Sequence, residues 1–268
     1  MRLRHLFAAS ALSLLLVLTL LWAVTAAPAP TNSESGPAHA DPCRPQGPSA
    51  PGAIIAVNHT NDSLTSGDGA CTLREAIMNA NGDGDTTGGD CAAGAGDDVI
   101  VLPAGTYKFT IAGIDEDANA TGDLDVTDDE GLTIEGDGPG ATIIDADGLD
   151  RILDIRPGAG SIVVSGVTVF NGHAAAPTQD GGGIYDHDAN LTTINAAVYN
   201  NSAGGSGGAV FVDEGTATLS DTQVVSNTAG SGGGVYVSAG TAAMSMVEVL
   251  SNTAYLGGGV YVAQGAAT

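Results

Sequence analysis

The stretch YDHD at 185–188 sets two carboxylates, Asp186 and Asp188, on either side of His187. Alternate residues of a strand face the same side, so Asp186 and Asp188 would share one face and His187 the other. A pair of carboxylates on one face is the equipment for acid–base cleavage of a glycosidic bond. His173, in NGH at 171–173, is a third titratable candidate for the same work. The competing reading is a solvated polar bend on the outer face. A lyase would instead need a cationic base, for which Arg151 and Arg156 are the candidates. Both have simple ion-pair partners close by, in Asp145, Asp147, Asp150 and Asp154.

Two acidic stretches suggest a different chemistry. NGDGDTTGGD at 81–90 holds Asp83, Asp85 and Asp90, and the run at 114–131 holds Asp115, Asp117, Asp123, Asp125, Asp128 and Asp129. Carboxylates at alternate positions, as in Asp83/Asp85 and Asp123/Asp125, supply the hard oxygen donors that suit Ca²⁺. Neither stretch follows the EF-hand loop, and acidic loops in water explain both without a metal. No other cofactor is indicated. Of the three cysteines, Cys71 and Cys91 lie close enough in sequence to pair, which leaves Cys43 over. No CxxC spacing occurs, so structural zinc has no support.

The elements that must position these residues are written as a repeat. GGGIY begins at Gly181, GGAVF at Gly207 and GGGVY at Gly232 and again at Gly257; the aromatics Tyr185, Phe211, Tyr236 and Tyr261 follow at spacings of 26, 25 and 25. Out of phase with them, Asn201, Asn227 and Asn252 recur in VYNNSAG, VVSNTAG and VLSNTAY, with Asn171 of VFNG read as the earlier member. A fixed period of this size marks a repeat architecture. The segments between glycines alternate apolar and polar residues over a few positions and nowhere hold several turns of helical periodicity, which excludes helical arrays. Each unit has room for three short strands and three bends. Stacked at a strand spacing of about 4.8 Å, the units make an all-β, right-handed parallel β-helix (a solenoid). Val212, Val237 and Val262 should form one column of its core, and Ile184, Val210, Val235 and Val260 the next. The four asparagines should form a ladder at one bend, where Asn tolerates left-handed backbone.

Composition agrees. The 268 residues include 40 Gly, four Phe and one Trp, which suits thin aliphatic layers rather than an aromatic core. The formal net charge is −24, and beyond Arg156 there is neither Lys nor Arg, so nucleic acid is excluded as a partner. At the start, Arg2 and Arg4 precede an apolar run over 6–22 and small residues to 27, the pattern of a secretory signal. Residues 28–52, rich in Pro, Ala, Ser and Gly, read as a disordered linker. Secretion or display at the cell surface is therefore expected, and contact with a membrane only through the signal segment or an anchor beyond the present sequence.

An open stack needs a cap on its first coil, and CTLREAIMNAN at 71–81 provides one. Thr72 and Glu75 fit a capping box, and Leu73, Ala76, Ile77 and Ala80 fall on one helical face. This phrase resembles the signature of the CSLREA domain of secreted bacterial proteins, with Thr72 where that pattern has Ser. The downstream phrases VIVLPAGTY, LTIEGDGPGATIIDADG, GVTVFNG and GGGIY also look like that family, and the glycine repeats resemble those of polymorphic outer-membrane proteins and pectin-lyase-like β-helices. The resemblance spans about residues 53–268 and implies surface location and fold more firmly than activity. Pectin-degrading relatives that hydrolyse carry a basic substrate-binding triplet beside their carboxylates, and that triplet is missing here.

The expected organisation is thus a signal peptide (1–27), a linker (28–52), a CSLREA-type cap (53–96) and β-helix repeats (97–268) that break off within a coil, as in a fragment. The expected role is a structural or adhesive module presenting a rigid acidic face to extracellular carbohydrate or protein. The alternative is a polysaccharide lyase or glycoside hydrolase.

Overall fold

A computed structural model describes residues 52–114 and 116–268, and these form a parallel β-solenoid of about six turns. The expected signal peptide, Cys43, all of the linker but Gly52, and Asp115 lie outside the described residues.

Each turn contributes one strand to each of three sheets. The first sheet has eight strands and runs from Ile54–Ala56 through Asp98–Leu102, Gly131–Gly136, Ser161–Ser165, Asn190–Ile194, Thr216–Ser220 and Thr241–Ser245 to Ala266–Ala267. The second has six strands, from Gly105–Lys108 to Glu248–Leu250. The third has six, from Leu124–Val126 through Leu153–Ile155 and Ile184–Asp186 to Val260–Val262. A short fourth sheet, from His173–Ala174 to Thr253–Leu256, joins the second to the third in the later turns. Every pairing is parallel, because each coil repeats the direction of the one before it.

The constant period becomes constant register. Val212, Val237 and Val262 are Cα partners on successive strands, as are Ile184, Val210, Val235 and Val260. On the second sheet, Ile144, Val169, Val198, Val224 and Val249 stack in the same way. These columns point inward and bury almost completely in the middle turns, so the core is a set of aliphatic stripes along the stack. Non-directional burial of this kind is the main drive for coiling.

The glycine phrases have a geometric cause. Gly181, Gly207, Gly232 and Gly257 all take left-handed backbone, at φ 59–69°. A Cβ on any of them would sit 2.6–2.8 Å from the Cβ of Tyr185, Phe211, Tyr236 or Tyr261 respectively. Only glycine turns the chain there with an aromatic ring four residues on.

The one helix among the described residues, α1 (Leu73–Asn81), lies against the first strands of the solenoid. Thr72 and Glu75 form a complete capping box at its start. Leu73, Ala76, Ile77 and Ala80 are buried. A Cys71–Cys91 disulfide ties its N-terminus to the segment leading into the first full coil. The helix does more than cover apolar surface. Its Arg74 guanidinium donates to the carbonyls of Gly122 and Asp123 (both 2.8 Å), and Asn81 donates to the Asp125 carbonyl (2.7 Å) and accepts from the Thr127 N–H (2.9 Å). These side chains satisfy the free edge of Leu124–Val126, the terminal strand of the third sheet.

Candidate functional site

The residues of YDHD separate. Asp186 ends the strand Ile184–Asp186 and faces inward, in the column Val126, Ile155, Asp186, Val212 and Val237. It is fully buried; one oxygen accepts the Ala189 N–H at 2.9 Å and the other has no partner. Gly215 on the next coil leaves the room, since a Cβ there would meet both carboxylate oxygens within 3 Å. Burial pushes the Asp186 carboxyl up to about 7. Asp188 lies past the strand end on the surface, where it accepts the Gly158 N–H at 3.0 Å. Alternation stops where the strand stops, so the expected shared face does not exist. His173 is on the outside in the short sheet, bonded through Nδ1 to Ser202 Oγ at 2.6 Å. The expected catalytic set of Asp186, Asp188 and His173 is therefore one core carboxylate, one turn cap and one groove residue.

Carboxylates do converge elsewhere. Asp125 and Asp154 are register partners on the outer side of the third sheet, and each has an oxygen within 4.8 Å of one another's and of Asp123's. All three are buried. His187 Nε2 meets Asp154 Oδ1 at 2.9 Å, while Arg151 and Arg156 reach Asp154 Oδ2 at 3.4 and 3.0 Å. Arg151 Nε lies 3.0 Å from Asp123 Oδ2, yet its N–H is turned away from any hydrogen-bond acceptor, so that contact is an ion pair by distance alone. Arg156 also pairs with Asp117 at 3.0 Å. Burial and the neighbouring Asp150 charge push Asp123 up to about 9, and burial pushes Asp125 up to about 7. Burial acts on Asp154 too, but the His187 bond and the charges of Arg151, His187 and Arg156 outweigh it and hold that carboxyl below its ordinary value. Arg151 and Arg156 thus serve Asp154, Asp123 and Asp117, and Asp147 pairs with Lys108 instead, at 3.0 Å.

The same outward column continues from Asp125 and Asp154 into Tyr185, Phe211, Tyr236 and Tyr261. Successive rings lie 4.8, 5.1 and 5.3 Å apart, and the imidazole of His187 stacks on Tyr185 at 3.9 Å. The rings spend much of their surface on one another, so this ladder stiffens the outer side of the third sheet.

Of the metal candidates, Asp83 gathers with Asp129 and Glu130 on the exposed surface, without Asp85. Asp85 caps its own turn, accepting from Thr87 and Gly89. Asp123 and Asp125 belong to the buried group with Asp154.

The asparagines make a ladder of three rungs. Asn227 Oδ1 accepts both the N–H and the side-chain amide of Asn201, and Asn252 Oδ1 does the same for Asn227. Each Nδ2 also donates to a carbonyl of an earlier coil: Val169, Val198 and Val224. The position below Asn201 is Gly172, whose N–H closes the ladder on Asn201 Oδ1 at 2.8 Å. Asn171 is one residue out of this register. It stacks with Asn200, Ser226 and Ser251 in a column of left-handed backbone, at φ 56–59°. Left-handed geometry therefore belongs to the residue before each rung, and the rungs themselves are spared it.

This left-handed column borders an open groove of about 460 Å³. Asn171, Asn200 and Ser226 line one side, and His173, Ser202 and Thr228, register partners in the short sheet, line the other. Asp147 closes one end. Asn200 Nδ2 donates to Asn171 Oδ1, and Asn171 Nδ2 to Asp145 Oδ1 at 3.1 Å. Each of three successive coils places one polar side chain on either side: Asn171 and His173, Asn200 and Ser202, Ser226 and Thr228. The groove holds one carboxylate, so it lacks the pair that glycosidic hydrolysis needs. Asn171 and His173 are residues the sequence reading singled out for other work; Asn200, Ser226 and Thr228 escaped it because their signal is the register of bends.

No known protein family, no curated protein and no solved structure matches the chain.

Proposed function

We propose that this protein is a secreted or surface-displayed β-solenoid that binds carbohydrate without cleaving it, with the polar groove between the left-handed column and the short sheet as the binding site. The observation that carries this reading is the groove's composition. Its polar positions recur at the strand spacing of about 4.8 Å, so a chain of linked sugars lying along the stack meets two polar side chains at each turn, though of changing type. A rigid, pre-formed row of this kind lowers the ordering penalty of binding an extended ligand. The resemblance of residues 71–81 to the CSLREA signature, together with the apolar segment at 6–22, supports export from the cytoplasm.

A glycan array probed with the purified protein tests the reading. Binding of one or more linear glycans, weakened at least tenfold by Asn200→Ala or His173→Ala with the fold intact, is expected. Binding that both substitutions leave unchanged places the site elsewhere, and no binding at all removes the reading. The polysaccharide lyase or hydrolase alternative draws on Asp123, Asp125, Asp154, Arg151 and Arg156. It predicts unsaturated products or new reducing ends from polyuronides, lost on Asp154→Asn.

A further inference from the structure

We propose that Asp123, Asp125 and Asp154 bind a calcium ion that ties the 116–123 loop to the first two strands of the third sheet. The three carboxylates come together through the register of Leu124–Val126 and Leu153–Ile155, with an oxygen from each within 4.8 Å of the others. Calcium holds its ligand oxygens at roughly 2.3–2.6 Å, so oxygens on opposite sides of one ion lie up to about 5 Å apart. The trio fits such a sphere.

Two orphaned oxygens point to a missing partner. Asp125 is fully buried and its Oδ1 has no hydrogen-bond partner. Asn119 is buried beside it, donating its N–H to Asp125 Oδ2 at 2.9 Å, and the amide oxygen Oδ1 of Asn119 is also without a partner. A buried oxygen with nothing to accept from is destabilising. The arginines offset part of the carboxylate charge but bond neither of these oxygens. Arg151 approaches Asp123 without aligning a hydrogen bond, and Arg156 is occupied by Asp154 and Asp117. The rim offers entry, since the Arg156 and Asp117 side chains are 24% and 65% exposed. The exposed trio Asp83, Asp129 and Glu130 is the natural control, because its carboxylates are open to solvent.

Chelator-treated protein is titrated with CaCl₂ by calorimetry and followed by thermal unfolding. One ion per chain is expected, with a Tm rise of about 5 °C near 10 mM, given the roughly submillimolar to millimolar affinity of extracellular calcium sites. Asp125→Asn should abolish both effects, and Asp83→Asn should keep them. Terbium is a second, direct probe. Tyr185 is the register partner of Asp154 on the next strand, so ultraviolet excitation of the wild type should give terbium emission that calcium quenches. Tyr185→Phe should lose most of that emission while keeping the calcium-induced Tm rise; this arm decides the matter if Asp125→Asn does not fold. The proposal is overturned by the absence of both a calcium-dependent Tm change and terbium emission in the wild type. A calcium response that survives Asp125→Asn, or that Asp83→Asn abolishes, overturns it equally.

Discussion

Asp186 shows how far a single residue can depart from its neighbours' pattern. It occupies a position that is Val or Ile on the coils before and after it, and it is held there as an acid with a carboxyl pushed up to about 7 by burial. In the unfolded chain the same group titrates near 3.9. Between those two values the folded form keeps a proton that the unfolded form releases, so its contribution to stability falls as pH rises from about 4 to about 7 and is flat above. Asp186→Asn keeps the shape and removes the charge. It should unfold at higher urea than the wild type at pH 8, by about 2–4 kcal/mol, and match it near pH 4. A variant weaker than the wild type at pH 8 would contradict the buried placement. Asn227 argues the opposite case, since every hydrogen-bonding atom of its side chain has a partner in the ladder. Asn227→Ala strands the Asn201 amide and should cost about 2–4 kcal/mol in urea unfolding, whereas loss below 0.5 kcal/mol would mean the ladder carries little. The spacing of Asn201, Asn227 and Asn252 was legible in the sequence. The displacement of Asn171 was not, because the ladder ends on a backbone N–H of Gly172 that leaves no side-chain signal.

At the scale of elements, the cap helix joins two jobs in one short phrase. Its apolar face and capping box could be read from residue spacing alone, and they fold as read. Its edge-closing role could not, because the carbonyls that Arg74 satisfies lie 48 and 49 residues downstream. Arg74 is nearly inaccessible, paired with Asp62 at 2.7 Å and set over the Phe109 ring. Replacing it leaves Asp62 Oδ1 and two edge carbonyls without their donors, while Asp62 Oδ2 keeps the N–H groups of Thr110 and Ile111. Arg74→Lys should therefore be almost as damaging as Arg74→Ala, since an ammonium cannot span three partners with a planar fork. Hydrogen–deuterium exchange should show Leu124–Val126 opening at least tenfold more readily in both variants, with the later coils unchanged. Protection of that strand at the wild-type level would remove the edge-closing role. The strands themselves were legible because alternation and glycine placement repeat; the failure at YDHD came where a strand ended earlier than its alternation suggested.

For the solenoid as a whole, one proposition supports both the core and the groove: residues one period apart in sequence are neighbours in space. The aliphatic stripes, the ring ladder, the asparagine rungs and the repeated groove donors all follow from it. The groove was less legible than the core because it is built at bends whose residue types vary, as Asn171, Asn200 and Ser226 do, while the core keeps its types. The most direct measurement is spin–spin distance between nitroxides at outward positions of the first sheet. Thr133, Thr192 and Ala243 occupy one register column on that sheet. With neighbouring strands about 4.8 Å apart, backbone separations near 10 Å for Thr192–Ala243 and near 19 Å for Thr133–Ala243 are predicted, each as a single narrow population once the label arms are allowed for. Equal distances for the two pairs, or broad distributions centred far beyond these values, would contradict the stacked arrangement and the groove built upon it.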